Sequence, residues 1–134
     1  MKKITIAMAL VMATSFASAQ TYLKSIPEKG VKVYCELFIR SVLTFSDDIY
    51  YAEVDFGQRS NDQINNKNTL MTENGKKMPF RSRIDALNYM SCFGWNYEFT
   101  YLRDSVNTML LSKFVTSPQQ VREGLRLKEE QKEK

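Results

Sequence analysis

The run "ALNYMSCFGWNYEF" at residues 86–99 constrains the fold most, because the period of its apolar residues changes from 3.6 to 2 across one glycine. Before Gly94, Ala86, Leu87, Met90 and Phe93 fall on one side of a helix, with Ile84 at the margin and Asp85, Asn88 and Cys92 opposite. Ser82 stands at the N-cap and Asp85, three residues on, occupies the acid position of a capping box. Gly94 supplies a left-handed stop. After it, Trp95, Tyr97, Phe99 and Tyr101 alternate with Asn96, Glu98, Thr100 and Leu102. The pattern predicts a helix laid over a strand, with Leu87, Met90, Phe93, Trp95, Tyr97 and Phe99 in the core. Burying each ring is worth about 1.5–3 kcal/mol, which favours core over an exposed stacking platform for sugars or bases.

The same alternation marks further strands. In "VKVYCELFIR", Val33, Cys35, Leu37 and Ile39 share one face, and Tyr34, Glu36, Phe38 and Arg40 share the other. "SDD" at 46–48 turns the chain into "IYYAEVDFG", where Tyr50, Ala52, Val54 and Phe56 oppose Tyr51, Glu53 and Asp55. The asparagine-rich residues 58–69 form a surface loop. Asn74-Gly75 predicts a tight turn with positive φ at both centres, within a small two-stranded flap that Pro79 keeps out of the main sheet. "DSVN" at 104–107 leads to a last strand, "TMLLSKFV". Ser117 as cap and Pro118 at the first position open a short helix that Val121 and Leu125 anchor and Gly124 ends, and the charged tail "RLKEEQKEK" frays. The expected fold is α+β: an antiparallel sheet of about four strands in ββαββ order, with one amphipathic helix on one face and a short C-terminal helix.

The first residues, "MKKITIAMALVMATSFASAQ", read as an export signal, with Lys2 and Lys3 before an apolar run and Ala17-Ser18-Ala19 as the cleavage site. The run is shorter than the ~20 residues a membrane span needs, and no cysteine stands directly after the cleavage site to take a lipid. Residues 1–19 are thus expected to be removed, 20–30 to lead in, 31–116 to form one domain, and 117–134 to follow as short helix and tail. The destination is the periplasm or the medium, with no membrane anchor left after cleavage. The cleaved chain carries 17 basic and 15 acidic residues, a balance of +2. That is too mild for a nucleic-acid partner, which requires a basic stripe.

Histidine is absent and there are two cysteines. Ser-His and Cys-His nucleophiles are therefore excluded, as is a structural zinc site of the usual ligands. No residue stands out as catalytic, and no metal or other cofactor is expected. Cys35 points with the core face of its strand, whereas Cys92 lies on the polar side of the helix. A bridge needs Cβ atoms within about 4.5 Å, so two unpaired thiols are favoured.

A sheet covered on one side leaves another side open. Tyr34, Phe38, Tyr51 and Glu53 are the candidate binding residues there, among Glu36, Arg40 and Asp55. An ordinary solvated face with scattered aromatics is the competing reading.

"VYCEL", "VDFGQ" and "ENGKKMPFRSRIDALNYMSCFGWNYEF" together resemble a group of small secreted bacterial proteins of unknown function. These carry a strand hairpin, an Asn/Asp-Gly turn and a helix ending in "aLnyM…lGWe". The junction is also similar to a wider set of short uncharacterised domains with "GWEl". The likeness spans roughly residues 31 to 115, implies the α+β fold and attaches no activity. Asn96 follows Trp95 where that pattern usually has Glu.

The leading functional expectation is an exported, non-enzymatic module that binds a protein or glycan, or pairs with itself. One alternative is a carboxylate-based hydrolase of envelope or carbohydrate substrates using Glu36, Glu53 or Asp55. Another is an accessory subunit of a cell-envelope assembly, docking through residues 117–134.

Overall fold

The structure, a computed structural model, describes residues 25–43, 48–57 and 68–128. The expected signal at 1–19, most of the 58–69 loop and the end of the charged tail lie outside the described residues. The chain is α+β, with a four-stranded antiparallel sheet of β1 (Val31–Leu43), β2 (Asp48–Asp55), β3 (Asn96–Arg103) and β4 (Val106–Val115). One helix, α1 (Arg83–Ser91), joins the two hairpins, and a 3-10 turn runs over Pro118–Val121.

In space the strands run β2-β1-β4-β3, so the first and last strands form the centre. Register places Leu37 opposite Val54 on one side and Met109 on the other. The core face of the sheet thus carries Cys35, Leu37, Ala52, Val54, Leu111 and Val115, all buried. Ala86 and Met90 of α1 meet this face, and Leu87 and Phe93 pack half-buried against it. Trp95 is 1% exposed and stacks at 5.6 Å from Phe56.

Helix α1 begins as the sequence directs: Ser82 Oγ accepts a hydrogen bond from the Asp85 amide at 3.0 Å. Asp85 reaches back one residue further than a capping box does, accepting from the Arg81 amide at 3.0 Å. At the other end Gly94 takes φ +90°, and the Trp95 amide closes on the Met90 carbonyl at 3.3 Å. That bond points the chain from helix directly into β3.

Four expectations need correction. First, Tyr97 and Phe99 are 48% and 53% exposed and do not join the core. A register irregularity between Tyr97 and Phe99 inserts Glu98 as an extra residue, so Phe99 pairs with Leu110 and Tyr101 with Thr108 on the opposite face. Second, only Gly75 of the Asn74-Gly75 pair has positive φ, at +79°. The Gly75 amide bonds the Thr72 carbonyl and the Thr72 amide bonds the Lys76 carbonyl, which makes a three-residue hairpin loop. Third, Ser117 makes no side-chain cap. Gln120 instead reaches back past the start of the turn, its Oε1 accepting from the Thr116 amide at 2.6 Å. Fourth, the tail does not fray from its start: Leu127 is fully buried and bridges Leu70. The Met71 amide bonds the Arg126 carbonyl, and the Lys128 amide bonds the Thr69 carbonyl.

The flap seals the outer edge of β2 through bridges from Thr69 to Glu53 and from Phe80 to Tyr50. Cys35 is buried, Cys92 is exposed, and both are free thiols.

Candidate binding face

The face of the sheet away from α1 is organised in rows by the register. One row reads Glu53, Phe38, Thr108, Tyr101 across β2, β1, β4 and β3. The next reads Asp55, Glu36, Leu110, Phe99. Beyond it stand Tyr34 opposite Ser112 and Lys32 opposite Phe114, and on the other side Arg40 lies opposite Tyr51.

Of the four sequence-chosen residues, Phe38 and Glu53 are therefore direct neighbours, and Tyr51 is two residues from Glu53 on the same strand. Tyr34, 51% exposed, lies four residues along β1 from Phe38 with Glu36 between them. Sequence reasoning missed Phe99, Tyr101, Arg103 and Phe114. The first two were hidden by unbroken alternation, since no glycine or proline marks the bulge.

Charges on this face are engaged with one another. Tyr101 donates its phenol hydrogen to Glu36 Oε2 at 2.5 Å, and Arg103 donates to Glu36 Oε1 at 2.9 Å. The Arg103 guanidinium also lies 5.7 Å from the Phe38 ring centre. Burial, with the Glu36 carboxylate as second cause, pushes the Tyr101 phenol up to about 12. At the far end Glu98 accepts from the Ser112 hydroxyl and pairs with Lys32 Nζ at 2.9 Å. These two hydrogen bonds hold the Glu98 carboxyl below its ordinary range. Arg40 pairs with Glu53 at 3.3 Å. Lys77 of the flap sits 5.3 Å from the Tyr51 ring centre.

Glu36 and Glu53, the carboxylates that acid–base chemistry would use, each have an arginine partner. Among the described residues, no three of His, Cys, Asp and Glu come together as a metal site. Cys35 offers no nucleophile either, because burial pushes its thiol far up. What the face presents is aromatic surface, Tyr34, Phe99 and Phe114 standing out and Phe38, Tyr51 and Tyr101 half-covered.

A cavity of about 510 Å³ opens at one end of this face, where β2 has stopped and β1 continues. No family model, no curated protein and no solved structure matches the chain.

Proposed function

We propose that this protein is a small exported module that binds a partner without chemistry, through the open face of its sheet. The observation that carries this reading is the self-neutralised aromatic face. Lys32–Glu98, Glu36–Arg103 and Arg40–Glu53 pair within the face, and Tyr34, Phe99 and Phe114 remain exposed between them. Such a surface gains by covering rings and loses little by desolvating these three pairs, since each of their charges already has its counter-ion. The pairs also hold the strands' side chains in place before binding, which lowers the ordering entropy paid on association.

The test is co-purification of wild type and a Phe38→Ser/Phe99→Ser variant from the native envelope. Both changes lie on the open face, so the fold should survive, as judged by circular dichroism. A partner retained by wild type and lost from the variant supports the reading. An identical set of co-purifying proteins from both, or a hydrolytic activity abolished by Glu36→Gln, would sink it.

A further inference from the structure

We infer that the unpaired half of β1 is a docking site for an extended peptide segment of a partner, which adds to the sheet as a strand beside Val31–Cys35. The inference rests on the binding-module reading above and names both the place and the backbone form of what is bound.

The geometry follows from the register. β2 pairs β1 only from Glu36 to Leu43, whereas β4 pairs β1 from Val31 onward. Tyr50, Ala52 and Val54 use their backbone groups outward, toward Phe80, Leu70 and Asn68. Their neighbours Tyr51, Glu53 and Asp55 therefore bond inward, to Arg40, Phe38 and Glu36. By the same parity the N–H and C=O of Lys32 and Tyr34 point to the β2 side, while those of Val33 and Cys35 bond β4. Among the described residues no backbone group bonds these four atoms of Lys32 and Tyr34.

β2 leaves at this point for a local reason. Asp55 Oδ1 accepts from the Gly57 amide at 2.8 Å, and Gly57 at φ +91° turns the chain away. The space where β2 would have continued is the 510 Å³ cavity. Its lining includes every residue from Val31 to Glu36, so it runs along the backbone edge and not over one face alone. Two donors and two acceptors in alternation along an open edge match an extended main chain and no compact ligand. On the core side Ile26, Val33 and Phe56 line the cavity and ask for an apolar side chain. On the open side the next side chain lies beside Tyr34 and Leu110. The bound segment alternates accordingly, with a bulky apolar residue facing inward and its neighbours facing the aromatic surface.

The experiment begins with amide hydrogen exchange by NMR on the free protein. Lys32 and Tyr34 should exchange fast while Val33 and Cys35 are protected; protection of all four would overturn the proposal. A random linear heptapeptide phage library is then panned on the protein, and a recovered sequence is synthesised. Its binding should slow the Lys32 and Tyr34 amides by about tenfold or more, the scale of gaining one backbone hydrogen bond. Lys32→Pro removes one outward donor without touching the β4 ladder and should weaken the peptide about tenfold. Lys32→Ala, which removes the side chain and keeps the N–H, should weaken the peptide clearly less than Lys32→Pro. Should Lys32→Pro not fold, the wild-type exchange pattern decides alone. Recovery of no peptide, or of one that leaves the Lys32 and Tyr34 amides fast, refutes strand addition. If binding is then lost in Phe38→Ser/Phe99→Ser, the face reading stands without the edge; if Lys32→Pro abolishes binding and that variant does not, the edge stands without the face.

Discussion

Tyr101 and Glu36 are joined at 2.5 Å across the full width of β4, which lies between their two strands. The bond forms above Thr108, which is fully buried beneath Phe38 and Tyr101, its neighbours in the row. A polar contact thus closes over the sheet's middle from both sides.

This contact predicts an alkaline limit to stability. The folded phenol, pushed up to about 12 from 10.0, stays protonated where the unfolded one ionises. Its contribution is full below pH 10 and is lost as pH rises toward 12. Tyr101→Phe should show a flatter fall in urea midpoint over that window, and absorbance titration should lose its highest-pH tyrosine. An unchanged slope would refute the assignment.

Lys113 sits in the apolar row of β4, 8% exposed, with Nζ donating to the Gln120 carbonyl at 2.6 Å. Its stem lies against Gly94, and its ammonium is 6.0 Å from the Trp95 ring centre. The stem's packing should matter more than its charge. Lys113→Ala is expected to cost about 1–3 kcal/mol in chemical denaturation, and Lys113→Met less than about 1 kcal/mol. Desolvation lowers the Lys113 pKa, so the folded state sheds this proton before the unfolded chain does. That contribution therefore rises with pH up to 10.5, and Lys113→Met should abolish it.

Asp104 and Ser105, the two-residue loop between β3 and β4, adopt φ of +48° and +64°. This is the hairpin geometry that favours Asn-Gly, held here by two residues with Cβ atoms. Ser105→Gly should raise stability by roughly 0.5–1 kcal/mol, read as an increase in Tm. A decrease would mean that the hydroxyl contributes more than the backbone strain removes.

The bulge at Glu98 also guards an edge. β3 is the outermost strand, with Leu102 at 72% and Phe99 at 53% exposure. A bulge twists such an edge away from sheet-to-sheet pairing. Deleting Glu98 keeps Tyr97 opposite Leu111 and Phe99 opposite Leu110, so the fold should persist with regular alternation. Analytical ultracentrifugation should then detect stronger self-association than wild type shows. A strictly monomeric deletion variant would show that the bulge has no such role.

How much of this was legible depends on the range over which each interaction acts. Local chemistry was readable: the cap at Ser82, the stop at Gly94, and the alternation that set Leu37 and Val54 inward. The bulge was not, because Glu98 carries no conformational mark and its partners Ser112 and Lys32 are distant in sequence. Nor was the neighbour of β1, since two hairpins can join through either of their strands. Leu127 looked like a lone apolar residue among charges, and only its bridge to Leu70 gives it a core to enter. For the candidate face, β1 and β2 contributed the expected half, and β3 with Phe114 of β4 the unexpected one.

The central pairing of β1 with β4 also imposes an order in time. Val31 meets Val115 and Phe38 meets Thr108, so the middle of the sheet waits for the chain's far end. The first hairpin can close early on its own, as can the second. Neither has its apolar side covered until they meet, because two strands alone make no stable layer. A ribosome must therefore deliver the residues of β4 before this domain becomes cooperative, and until then Leu37 and Val54 stay available to whatever handles the nascent chain.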